Sequence, residues 1–144
     1  MTSYLDTSFL LKLYIDEADS PLAFKLLGRS GARPMISSLS EVEMSSSLHR
    51  LSASRRGFDE TLLGPAYAMF RSDRSAETYD VVAIDDTVFE LARLLGEAHG
   101  RTLQVRALDI LHVAAAMRYG AAAFGTFDQR QAKLARVVGL RVLA

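Results

Sequence analysis

The chain contains no cysteine. That removes disulfides and thiolate metal sites from consideration and fits a reducing compartment. It has no net charge either, because 17 Lys and Arg balance 17 Asp and Glu. A bulk positive field therefore cannot be what holds a nucleic acid, although a local basic groove stays open. Long apolar runs are missing. The longest, around ILHVAAAM, is stopped by Arg118, far short of the roughly 20 residues needed to span a bilayer. The first residues lack a basic stretch followed by an apolar one, so no secretion signal is expected and a cytoplasmic location is. Repeats and low-complexity segments are absent. What remains is an ordinary globular composition of 144 residues, 49% apolar and 24% charged. It suits one domain over 1–144 with one core. Of the basic residues, 14 are Arg. Arg offers bidentate contacts to phosphate, but genome composition gives the same bias and is the favoured reading.

Punctuation along the chain separates short strands from helices. Residues 2–6 read as a strand, 8–16 as a helix, and Ser20-Pro21 opens another helix to about Leu27. GRSGARP is a turn and MISS a short strand. Residues 39–54 and 59–73 read as helices broken by SRRGFD. YDVVAI is a β-branched strand. Asp85-Asp86 starts a helix that should end near Gly96 to Gly100, with RTLQV as loop or extended chain. Residues 108–118 form a helix, AAAFGT a strand despite its alanines, 129–137 a helix, and LRVLA the last strand. One or two helices separate each pair of strands. This alternation predicts an α/β fold: a mostly parallel sheet of four or five strands with helices on both faces. Short, continuously apolar strands agree with a sheet covered on both sides.

In open α/β sheets, ligands bind beyond the carboxyl ends of the strands. The acids that follow strands are therefore informative. Asp6 follows the first strand, Asp128 follows AAAFGTF, and Asp85 and Asp86 follow YDVVAI. Glu41 and Glu43 lie early in the helix after MISS. Asp109 stands in the first turn of LDILHVAAAM, a helix apolar on nearly every face. An ionised carboxylate there must be paired, bonded or bound to metal. Each acid also has an ordinary reading as a helix cap or a first-turn charge, worth about 0.3–1 kcal/mol. Asp85-Asp86 keeps that reading. Ser38 to Glu41 and Ser40 to Glu43 both have capping-box spacing, so the residues alone leave open which glutamate is free.

YLDTSFLLKLY, ISSLSEVEM, RALDILHVAAA and GTFDQRQAKLA resemble the four acidic motifs of the PIN-domain ribonucleases. The closest likeness is to the VapC-type toxins of bacterial toxin–antitoxin pairs. The order and spacing agree from Met1 to Ala144. The resemblance implies a PIN-like fold in which Asp6, Glu43, Asp109 and Asp128 converge on one pocket, with Thr126 and Ser8 as supporting polar groups. It assigns Glu43 rather than Glu41 as the second-motif acid. It further implies hydrolysis of RNA phosphodiesters with water as attacker, a small DNA-binding antitoxin as partner, and a homodimer.

Four carboxylates together repel, by about 1 kcal/mol per pair at 4 Å in water and several times that near protein. Such a cluster takes up protons or binds cations. Hard oxygen donors without sulfur suit Mg²⁺ or Mn²⁺. A histidine acid–base mechanism lacks support. His49 and His99 read as surface residues, and His112, three residues after Asp109, reads as a buried histidine bonded to a neighbour rather than a ligand. Arg50, Arg55, Arg56, Arg71 and Arg74 cluster in the helical hairpin of 39–74, and Arg130 follows Asp128. They could contact phosphates, or be a solvated helix face. Arg106 is placed to pair with a carboxylate. Aspartate-nucleophile phosphatases and phosphorelay receivers fit poorly, because position 8 is Ser and Lys133 is the only late Lys. A non-catalytic RNA- or protein-binding module is the remaining alternative.

Overall fold

Three-residue strands suffice here because the central ones are buried on both faces. Tyr4, Leu5, Ile36, Ala123 and Phe124 expose nothing. A computed structural model describes residues 1–54 and 60–143. Along them run β1 (Ser3–Leu5), α1 (Thr7–Tyr14), α2 (Ser20–Gly28), β2 (Met35–Ser37), α3 (Ser38–Ser54) and α4 (Glu60–Ser75). Then follow β3 (Asp80–Val82), α5 (Asp86–Leu103), α6 (Ala107–Arg118), β4 (Ala123–Gly125), α7 (Gln129–Val137) and β5 (Arg141–Leu143). The strands form a parallel sheet in the order β3-β2-β1-β4-β5. The expected α/β architecture with a parallel sheet is therefore present.

Side chains alternate across the sheet as the pleat requires. Tyr4, Met35 and Phe124 enter a core formed with α5, α6 and α7. Leu5, Ile36 and Ala123 enter a second core formed with α1, α2, α3 and α4. In that second core Phe9, Leu10, Met44, Leu48 and Phe70 are fully buried. Each such side chain contributes about 1.5–3 kcal/mol by leaving water.

The C-terminal end of α5 differs from the sequence reading. The helix runs through Gly96 and Gly100 to Leu103. Neither glycine is left-handed; the turn is made by Gln104 at φ 54°. Its N–H donates to the Gly100 carbonyl at 2.9 Å, and its side-chain amide donates to the Arg101 carbonyl at 2.7 Å. The amide thus does at Gln104 the carbonyl-satisfying work expected of a glycine cap.

The topology places a crevice at one edge. The chain leaves β1 through α1 and α2 toward β2, on one face of the sheet. It leaves the adjacent β4 through α7 toward β5, on the other face. Where neighbouring strands send their connections to opposite sides, their carboxyl ends open a cleft. Asp6 and Thr126 immediately follow these two strands. Close approach is enforced by Gly125, where an added Cβ would stand 2.7 Å from Leu5 Cδ2 and 3.0 Å from Phe9 Cδ2. Gly125→Ala should therefore cost about 1–3 kcal/mol through overpacking. A urea midpoint equal to that of the parent protein would show that the strands have slack there.

Candidate active site

Asp6 is 3% exposed and caps α1, accepting the Phe9 N–H at 2.9 Å on Oδ1. Ser8 Oγ donates to the same carboxylate at 2.8 and 3.0 Å. Thr126 Oγ1 donates to Oδ2 at 2.6 Å. Asp6 is linked to β4 through its own backbone N–H, which donates to the Gly125 carbonyl at 3.0 Å. Burial pushes the Asp6 carboxyl up to about 6; the Thr126 bond, the charge of His112 and the Phe9 and Ser8 bonds oppose that rise without cancelling it.

Thr126 is the hub of the opposite wall. Its hydroxyl also accepts the Asp128 N–H at 3.0 Å and meets Gln131 Oε1 at 3.1 Å. Asp128 caps α7 by accepting the Gln131 N–H at 2.9 Å. Gln131, 1% exposed, then reaches α6, where its amide donates to the Asp109 carbonyl at 3.2 Å and more loosely to Oδ1 at 3.4 Å. The Asp109 carboxyl is raised by burial first and then by the charges of Asp128 and Glu43, against His112 and Arg106.

The two glutamates of α3 part company. The helix begins one residue earlier than the sequence reading, and the capping frame shifts with it: Ser40 Oγ accepts the Ser37 N–H at 3.3 Å. Neither glutamate is used as a cap. Glu41 Oε1 turns to α4, 2.5 Å from Arg74 Nε and 3.5 Å from Arg71. These are ion pairs by distance, without hydrogen-bond alignment. Arg71 and Arg74 thus tie α3 to α4 instead of facing the acids. Glu43 turns inward. Its Oε1 accepts from Thr7 Oγ1 at 3.0 Å and meets His112 Nε2 in a short contact. His112 Nδ1 lies 2.7 Å from the Tyr4 hydroxyl, which donates to Ser37 Oγ at 2.8 Å.

Asp6, Glu43, Asp109 and Asp128 line one cavity of about 190 Å³ together with Thr7, Ser8, His112 and Gln131. Four separate elements thus deliver the four acids to one place. Their carboxylates stand apart: among the described residues no three His, Asp or Glu side chains are grouped tightly enough to hold one ion directly. An adjoining groove of about 810 Å³ shares Glu43, Asp109 and Asp128 and adds Arg50, Arg106 and Arg130. Arg106 acts on Asp109 through its charge rather than as the close partner expected. Arg55 and Arg56 lie outside the described residues. Asp85 behaves as a cap, accepting the Val88 N–H at 2.9 Å. Sequence reasoning overlooked Thr7 and Gln131. The Asp128 to Gln131 spacing is that of a capping box and was the available signal; nothing local marked Thr7. Among the described residues no helix is long and apolar enough to cross a membrane.

The buried Asp6 gives a signed pH effect. Its folded carboxyl holds a proton more tightly than the unfolded one, so its contribution to stability is complete below about pH 4 and lost as pH rises through about 6. In chelator, Asp6→Asn should be more stable than the parent at pH 8, by on the order of 1–3 kcal/mol, and the advantage should vanish near pH 4. Urea unfolding across that range measures it. A pH-independent difference would mean that Asp6 does not titrate in this window.

The PIN domain family model matches residues 3–137. No curated protein matches the sequence. Among solved structures, the chain superposes at TM-score 0.71 on VapC20 of Mycobacterium tuberculosis, a sarcin-ricin loop cleaving toxin, with 19% identity over 91% of this chain and 93% of that one. A toxin–antitoxin complex from Klebsiella pneumoniae gives 0.68 at 15% identity, over 99% and 96%. VapBC2 of Rickettsia felis, bound to a DNA fragment from its promoter, gives 0.68 at 16%, over 99% and 97%. At these identities the likeness is one of fold. The family match spans nearly the whole chain and takes in each strand but the last, together with every acid of the cavity, and the chain belongs to the PIN domain family.

Proposed function

We propose that the protein is a Mg²⁺- or Mn²⁺-dependent endoribonuclease, the toxin of a type II toxin–antitoxin pair, acting as one PIN domain over 1–144. The observation that carries this reading is the convergence of Asp6, Glu43, Asp109 and Asp128 on one cavity at the carboxyl edge of β1 and β4. The donor set fits a hard divalent cation. All four groups are oxygen donors; burial raises Asp6, and burial followed by the charges of Asp128 and Glu43 raises Asp109, which favours cation uptake over an empty cluster. Mg²⁺ keeps several waters and takes only one or two carboxylates directly, so it does not need three of them on one ion.

Such an ion, when bound, would supply Lewis acidity and make a water easier to deprotonate for in-line attack on phosphorus. The protein's own groups do the rest. Asp6 is the fixed member, held on both oxygens by Ser8, Thr126 and the α1 cap, and a carboxylate so heavily bonded is a poor covalent nucleophile. Asp109 and Asp128, half-buried, face both the cavity and the wider groove. Arg50 and Arg130 on that groove are the proposed phosphate contacts, and with Arg106 they offset the acids where an RNA backbone would approach. The same groove suits an antitoxin segment that presents an Arg to the acids; the Klebsiella and Rickettsia relatives are complexes of toxin with antitoxin. A homodimer and a cytoplasmic location complete the reading.

Structured RNAs incubated with the protein should be cut only when Mg²⁺ or Mn²⁺ is present. Asp6→Asn and Asp109→Asn should each lower the rate by roughly two orders of magnitude or more while remaining folded by circular dichroism. Cleavage that persists in excess chelator would remove the metal mechanism. Binding with no turnover under any ion would leave a recognition module instead. For the Asp109→Asn protein, adding Arg130→Ala should reduce the salt slope of single-stranded RNA binding by about 0.7. An unchanged slope would place Arg130 off the RNA path.

A further inference from the structure

His112 has no role in the reading above, yet it is 1% exposed in a helix whose interior is otherwise Ile110, Val113, Ala114, Ala115 and Ala116. Burying an imidazole among such neighbours costs about 1–3 kcal/mol unless its nitrogens are bonded. Both have partners, and they differ in kind. One is Tyr4, fully buried on the central strand, stacked on Phe124 with ring centroids 5.6 Å apart and anchored through its hydroxyl to Ser37 on β2. The other is Glu43 on α3, at the cavity.

Glu43 needs such a partner. A free Glu side chain has several rotors, and fixing them costs up to about 1.5–2 kcal/mol. Its neighbour Val42 is 66% exposed, so Glu43 borders solvent on one side of α3. Thr7 and His112 both bind the same oxygen, Oε1. Among the described residues no hydrogen bond reaches Oε2, so the group is tethered by one oxygen and keeps the other for a ligand.

We infer that His112 is a positioning residue: anchored by Tyr4 to the centre of the sheet, it holds the Glu43 carboxylate toward the cavity by one oxygen and leaves the second free for a divalent cation. This rests on the proposed cation site. It separates Glu43 from Glu41 on physical grounds, since Glu41 has no link to the sheet and is spent on α4. A histidine buried only for packing would be replaceable by a similar apolar side chain without consequence for Glu43. A positioning histidine would not. Partners that orient a ligating group usually change metal affinity about 10- to 100-fold when removed.

The test is Mn²⁺ binding to the full chain by isothermal titration calorimetry, with no RNA present. Glu43→Gln should weaken binding about tenfold, and His112→Leu by a similar factor. The double variant should be no weaker than Glu43→Gln, because His112 acts through that side chain. His112→Gln, which can still present an N–H near the Nε2 position, should recover most of the loss. Tyr4→Phe, which removes one hydroxyl, should show a smaller loss that disappears in the Glu43→Gln background; it decides the matter if His112→Leu does not fold. Parent-like affinity in folded His112→Leu, or losses that multiply in the double variant, would overturn the inference and leave the cation site standing. A parent protein that binds no Mn²⁺ would sink the cation reading and the inference with it.

Discussion

The cost of taking carboxylates out of water is the constraint around which this molecule is built. Asp109 is raised by burial first and then by the charges of Asp128 and Glu43, and Asp6 by burial that its three donors and the charge of His112 do not fully offset. Leaving a buried carboxylate ionised costs on the order of several kcal/mol, a large fraction of a typical folding free energy of about 5–15 kcal/mol. The groups therefore cannot rest on flexible loops. Asp6 and Asp128 sit at caps of helices that follow strands directly, and Asp109 sits in the first turn of a helix with a buried interior. Each stands near the positive end of a helix dipole, which lowers the cost of the charge. Two apolar cores then bear the remainder.

Capping and ligation are usually set against each other as readings of an acid after a strand. In this fold they combine. Asp128 gives Oδ1 to the Gln131 N–H, and Glu43 gives Oε1 to Thr7 and His112. The bond to one oxygen fixes the direction of the other. A carboxylate held in this way loses little further freedom when it takes a ligand, which is the sense in which a site is preorganised. Asp6 is the exception, held on both oxygens, and serves as the reference against which the others are placed.

How much of this could be read from the chain follows from the range of each interaction. The parallel sheet and the positions of Asp6 and Asp128 follow from local alternation and from the rule that strand ends carry ligands. Asp109 was legible as an acid misplaced in an apolar helix. Glu43 was separated from Glu41 by resemblance alone, because the deciding contacts come from His112 and Tyr4, far away in sequence. Capping spacing left the choice open, and the helix uses neither glutamate: it starts on Ser38, and Ser40 Oγ accepts the Ser37 N–H. Arg71 and Arg74 looked like free cations because pairing across α3 and α4 leaves no local trace. The end of α5 was misplaced because two glycines outweighed Gln104 as a stop signal.

The buried polar chain from Ser37 through Tyr4 and His112 to Glu43 is what joins stability to chemistry. Each member is costly unless the next is in place, since a lost partner leaves a buried donor or acceptor unpaired at about 1–3 kcal/mol. β1, β2, α6 and α3 are thereby held to one geometry by groups that a purely apolar core would not require. Apolar packing would tolerate α3 sliding or turning by a fraction of a residue, since cores accept many arrangements of similar volume. A hydrogen-bonded chain does not. The sheet thus communicates its rigidity to a glutamate on an outer helix, and that is the physical reason a polar line runs through the middle of an otherwise aliphatic and aromatic core.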